Sequence, residues 1–156
     1  MAGIMMFENW KLDHVTMAVQ NNQRAAEKFT DVFGGNFLKE VSLDSLGAKA
    51  SYLSIGKVVV GMESPTKVNS DIDKFLKRKG EGIHHIAFSV EDIQDVECKL
   101  CEKGLKLIGP EVVEGVKTDL FIHPKSCFGV LVQLTEWEEP YKSSFEKRAE
   151  ILGEHE

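Results

Sequence analysis

Residues 12–19 and 82–90 carry one strand pattern written twice, and that repetition restricts the fold more than any other feature. In the second copy Ile86, Phe88 and Val90 alternate with His85, Ala87 and Ser89, the two-residue period of a strand. In the first, Leu12-Asp13-His14-Val15-Thr16-Met17-Ala18-Val19 repeats it, and His14 falls on His85 at an offset of 85 − 14 = 71 residues. A helical pattern follows each strand, over 21–33 and 91–103, and each closes on a glycine, Gly34 or Gly104. Near each copy's end Val58-Val59-Val60-Gly61 matches Val130-Leu131-Val132-Gln133, at an offset of 133 − 61 = 72. A nearly constant offset over three elements argues for duplication of one βαβββ module. The expected fold is α+β, two tandem modules forming a curved, open, barrel-like sheet around one cleft.

The modules are placed at 10–66 and 81–136, with a linking helix in 67–80 and a C-terminal tail and helix in 137–156. Strands are predicted at 36–41, 49–55 and 58–63, the last two joined by the Gly56-Lys57 turn. In the second module they fall at 105–108, 118–122 and 130–135. Ala25, Phe29, Val32 and Phe33 make the apolar face of the first helix. Residues 71–79, with Ile72, Phe75 and Leu76 apolar, form the linking helix. Ser143 and Glu146 carry a capping-box signature, and the tail is expected as a packing or dimer element of a homodimer.

Composition narrows the partners. A net charge of −6 without a basic stripe gives no reason to expect nucleic acid, though a local lysine cluster still suits an anionic small molecule. No apolar run is long enough to span a bilayer, and the first residues lack a basic n-region, so the expected location is cytoplasmic. Three cysteines do not make a disulfide framework. Cys98 and Cys101 form a C-x-x-C inside a helix, where packing at the core or its boundary is the simpler role. Cys127 is read as incidental.

Two imidazoles at repeat-equivalent positions are a stronger sign of chemistry than one. With oxygen donors at positions 61 and 133, His14 and His85 would hold a divalent metal and leave positions open for a substrate. His84 points to the other strand face from His85 and is read as a surface or supporting histidine.

These residues carry a resemblance. Asp13-His14-Val15, the run from Gly80 through His84-His85 to Phe88, and His123-Pro124-Lys125-Ser126 with Gly129-Val130-Leu131-Val132 resemble the vicinal-oxygen-chelate superfamily of glyoxalases, extradiol dioxygenases and fosfomycin-resistance proteins. Within it the pattern is most similar to the methylmalonyl-CoA epimerases. The resemblance implies a divalent metal (Co, Mn, Ni, Zn or Fe) on His14, His85 and the two fourth-strand positions. It also implies carboxylates that move a proton. In this chain the first fourth-strand position is Gly61 and the second is Gln133; the other carboxylate position falls on Ala50. An amide can ligate or hydrogen-bond but cannot accept a proton at useful pH.

Other residues are candidates to fill the gap. Glu63 lies two residues after Gly61 on the same face, and Tyr52 shares a face with Ala50. Glu63 is most simply a charged strand end at the rim; Asp119 and Lys49 are also possible substitutes and are most simply solvated; Glu136 faces away from Gln133. Lys125 and Ser126, in a loop after a strand, suit a phosphate or carboxylate of a substrate. The expected function is a metal-assisted, epimerase-like isomerase of a 2-substituted acyl-CoA or related enolisable acid. A small-molecule binding protein on the same scaffold, or a glyoxalase- or lyase-type enzyme, are the alternatives.

Overall fold

The computed structural model describes residues 9–154. The chain divides into two compact units, one of His14–His84 with the chain from Arg148, the other of His85–Lys147 with the chain up to Asp13. The N-terminal unit is built on β1 (Lys11–Ala18), α1 (Asn22–Phe33), β2 (Asn36–Leu43), β3 (Ala48–Ile55), β4 (Val58–Pro65) and α2 (Asp71–Lys79). Its strands lie in the order β2-β3-β4-β1. β1 runs parallel to β4, while β3 is antiparallel to both β2 and β4. The C-terminal unit repeats the plan with β5 (Gly82–Ser89), α3 (Ile93–Glu102), β6 (Leu107–Val113), β7 (Lys117–Ile122) and β8 (Leu131–Trp137), ordered β5-β8-β7-β6. The fold is α+β, with two βαβββ repeats.

Register repeats as well as order. His14 stands beside Val59 and Thr16 beside Gly61, while His85 stands beside Leu131 and Ala87 beside Gln133. Because side chains alternate, one face of each sheet is committed to its helix. In the N-terminal unit Leu53, Met62, Val60 and Met17 pack with Val19, Ala25, Ala26 and Phe29. In the C-terminal unit Leu120, Ile122, Leu134 and Phe88 pack with Val90, Ile93, Val96 and Leu100. Leu53, Leu120 and Leu134 are fully buried, each worth about 1.5–3 kcal/mol relative to exposure. The intervening residues go to the opposite face, where the strand-borne candidate site residues lie; in the N-terminal unit the tail packs on that face, because Lys39 and Val41, which it touches, pair with Tyr52 and Ala50.

Helix ends follow local chemistry. Asn21 caps α1 by accepting from the Arg24 amide, and Gly34 ends it at φ +67°, a left-handed conformation that favours glycine. Ser70 caps α2 and Asp92 caps α3 in the same way. Asn22 is buried in the first turn of α1, where its amide donates to Ser51 Oγ at 2.8 Å and its oxygen accepts from Ser64 Oγ at 2.7 Å.

Several expectations are corrected. Val32 and Phe33 are exposed, because α1 buries only the stripe through Ala26 and Phe29; the Phe33 ring rests 4.9 Å from that of Phe29. Cys98 and Cys101 are exposed on α3, whose buried stripe is Ile93, Val96 and Leu100. Cys127 packs on that unit's core. β6 reaches Val113, beyond the predicted 108, because its outer half pairs with β7 despite exposed side chains. In the tail Ser144 rather than Ser143 supports the last helix, α4 (Phe145–Glu150), by accepting from the Lys147 amide. Ser143 instead bonds to Glu139. The end of the chain packs on β2: Lys39 Nζ donates to the Glu150 carbonyl at 2.8 Å, and Gly153, at φ +76°, leaves no room for a Cβ against Val41.

Candidate functional site

In the N-terminal unit the face away from α1, on which the tail packs, carries His14 and Thr16 from β1, Gly61 and Glu63 from β4, and Ala50 and Tyr52 from β3. Thr16, Gly61 and Tyr52 form one row across three strands. A Cβ at position 61 would lie 3.1 Å from Tyr52 Cε1 and 3.2 Å from Thr16 Oγ1, so Tyr52 and Thr16 close over the place of the missing side chain. Glu63 is corrected: it is 7% exposed, not at a solvated rim, since it stands between Ala18 and Ala50 in the register. Tyr52 is buried as well.

The C-terminal unit is the more polar of the two. Its helix-free face presents His85 and Ala87 from β5, Gln133, Thr135 and Trp137 from β8, and Lys117, Asp119 and Phe121 from β7. Gln133 Nε2 donates to Thr135 Oγ1 at 3.3 Å, and that hydroxyl donates to Asp119 Oδ1 at 2.7 Å. Asp119 Oδ2 takes the Lys117 ammonium at 2.9 Å. Lys117 also sits 5.4 Å from the Trp137 ring centroid, and Trp137 Nε1 donates to Asp13 Oδ1 at 2.9 Å. Asp119 is therefore not solvated; it is 7% exposed and tied to two donors. Glu136 does face away: its carboxylate accepts from the Ile93 amide at the start of α3, on the helix side.

His84 also lies on the helix side, with its ring 5.1 Å from that of Phe75 in α2. Burial lowers its pKa, Arg78 and Lys79 lower it further, and Asp71 opposes them.

Lys125 and Ser126 lie in a 3-10 turn, Pro124–Ser126, after β7. Ser126 Oγ accepts from the Lys106 amide, and His123 Nδ1 accepts from the Lys125 amide. Partial desolvation, then the charges of Lys106 and Lys125, push the His123 pKa down. Lys106 and Lys125 thus both stand close to this turn. By contrast, the groove along the start of α3 is lined by Glu91, Asp92, Glu97, Glu136 and Glu138, a poor seat for an anion.

The donor set for a divalent metal is incomplete. Gly61 contributes no side chain, and Gln133 contributes a neutral amide already engaged with Thr135. Among the described residues no three of His, Cys, Asp and Glu gather as ligands. The residues present do not fit a centre of two histidines and two carboxylates.

Comparison with known proteins agrees with the fold. Residues 13–122 match the family model of the glyoxalase/bleomycin resistance protein/dioxygenase superfamily, and the chain belongs to that superfamily. It is 32% identical over 127 residues to the human mitochondrial methylmalonyl-CoA epimerase, covering 80% of this chain and 72% of that one. It is 30% identical over 128 residues to an ethylmalonyl-CoA/methylmalonyl-CoA epimerase of Cereibacter sphaeroides, covering 80% of this chain and 96% of the relative. Among solved structures, the methylmalonyl-CoA epimerase of Mycobacterium tuberculosis superposes with a TM-score of 0.72 at 28% identity, over 85% of this chain and 91% of that one.

From the sequence Asp119 is a possible substitute but most simply a solvated residue, and its place in the repeat is hidden for a geometric reason. The fourth strands correspond at an offset of 72, but pairing of the third strands with them sets Asp119 where Ala50 stands, at 119 − 50 = 69. An ungapped comparison at 71 or 72 cannot bring the two together.

Proposed function

We propose that this protein is an epimerase-like isomerase acting on a 2-substituted acyl-CoA or a related enolisable acid. The observation that carries it is the 32% identity with the human methylmalonyl-CoA epimerase across most of both chains. The turn holding Lys125 and Ser126 supports it, because Lys106 and Lys125 come together there as a local cationic surface in a chain of net charge −6. Such a surface suits a phosphate or carboxylate of the substrate. In this reading Lys125 and Ser126 bind the anionic end, and the polar face of β7 and β8 receives the acyl group.

The test is incubation of the purified protein with racemic methylmalonyl-CoA and ethylmalonyl-CoA in heavy water. Mass spectrometry follows deuterium at the α-carbon, and calorimetry follows binding. The expected result is time-dependent uptake of one deuteron, with measurable affinity. A second reading, a small-molecule binding protein on this scaffold, is favoured by the closing of Tyr52 and Thr16 over Gly61. It predicts binding without exchange.

A further inference from the structure

Lys117 and Asp119 form an ion pair with both side chains nearly out of solvent, at 12% and 9% exposure. Removing two charges from water costs several kcal/mol each, and a well-packed apolar pair often serves stability as well or better. This molecule contains the control. By register Ala48 and Ala50 occupy in β3 the places that Lys117 and Asp119 occupy in β7, and the N-terminal repeat folds with alanines there. The repeat does not need charges at these positions to form its sheet. The pair stands on the same face as His85 and Gln133.

We infer that Asp119 is the proton acceptor of the C-terminal unit, supplying from β7 the carboxylate that Gln133 in β8 cannot. This rests on the acyl-CoA reading above. The geometry favours Asp119 in three ways. Its side chain shares the helix-free face with Gln133 and Thr135. Its oxygens are held in place, one by the Thr135 hydroxyl and the other by the Lys117 ammonium. A carboxylate has about four lone-pair positions, so two donors leave room for an incoming proton. Glu111, opposite Asp119 on the edge strand β6, is exposed and lacks this positioning.

The step balances on the chain's own groups. The α-proton of the bound thioester passes to Asp119. The C–H electron pair becomes the carbon–carbon π bond, and the carbonyl π electrons move to oxygen, giving the enolate. The Lys117 ammonium beside the carboxylate offsets the negative charge that the site holds in that state. The proton on Asp119 exchanges with solvent and returns to carbon. One carboxylate serves one face of the enolate, so the activity assigned to Asp119 is α-proton exchange; inversion also needs an acid on the opposite face.

The experiment is deuterium uptake by racemic methylmalonyl-CoA in heavy water, measured beside acyl-CoA affinity and thermal melting. Asp119→Asn should cut the exchange rate at least about 100-fold, the usual range for a lost general base, with affinity within a few-fold of the parent. If Asn leaves Lys117 uncompensated and the variant does not fold, Lys117→Met with Asp119→Leu removes both charges and should show the same loss. Gln133→Glu in the Asp119→Asn background puts a carboxylate back on the same face and should restore part of the exchange, which a purely structural role would not do. Undiminished exchange in a folded variant lacking Asp119 overturns this assignment and leaves the isomerase reading standing. Absence of exchange in the parent protein overturns that reading, and the assignment with it.

Discussion

Asp119 in β7 stands directly opposite Thr135 in β8, and the threonine hydroxyl donates to its carboxylate at 2.7 Å. Through that bond the amide of Gln133 and the ammonium of Lys117 belong to one connected arrangement on a single sheet face. The neighbouring faces of the same strands hold the apolar core through Leu120 and Leu134.

Thr135 joins two otherwise separate polar groups, so its hydroxyl should matter more than its volume. Thr135→Val keeps the shape while removing a donor from Asp119 and an acceptor from Gln133. The expected loss is about 1–3 kcal/mol, the usual cost of leaving buried polar atoms unsatisfied. Urea unfolding measures it. A double-mutant cycle with Asp119→Asn should give a coupling of at least about 0.5 kcal/mol. Additive effects would mean that the hydrogen bond does not contribute.

Gly61 should resist any side chain while Tyr52 is present. Its Cβ position lies 3.1 Å from Tyr52 Cε1, tighter than ordinary contact. Gly61→Ala should cost about 1–3 kcal/mol as overpacking. Tyr52→Leu in the same chain should return part of that loss, because the clash is with the ring rather than with backbone. Equal stability of Gly61→Ala and the parent would show that Tyr52 moves aside freely.

His84 gives a pH dependence whose direction can be worked out. Its folded pKa is lowered from 6.5, chiefly by burial, so the unfolded chain binds more protons on acidification. Stability should therefore fall as pH drops through about 6.5 and below, and rise again on return to neutral. Melting curves between pH 7.5 and 5.5 should show a smaller decrease for His84→Gln than for the parent. The same decrease in both would place the titrating group elsewhere.

The sequence alone determined the repeat, the strand-one histidines, the linking helix at 71–79 and the superfamily. These are local or periodic features: alternation follows from the pleat of a strand, and glycine at a helix end follows from backbone sterics. It also placed Gly61 and Gln133 correctly as a repeat-related pair on the fourth strands, since β1 with β4 and β5 with β8 keep the same register. Only the tertiary structure decided which charges leave water. Glu63 and Asp119 look alike in sequence to any exposed acid on a strand, and both are buried. The third strands changed the outcome most, because the offset between the repeats drops there to 119 − 50 = 69. A strand partner is chosen by hairpin length and by burial of one face, and a shift of one residue would turn Asp119 into the core. That choice is made across the sheet rather than along the chain, which is why the burial of Asp119 and its bond to Thr135 became visible only in the folded protein.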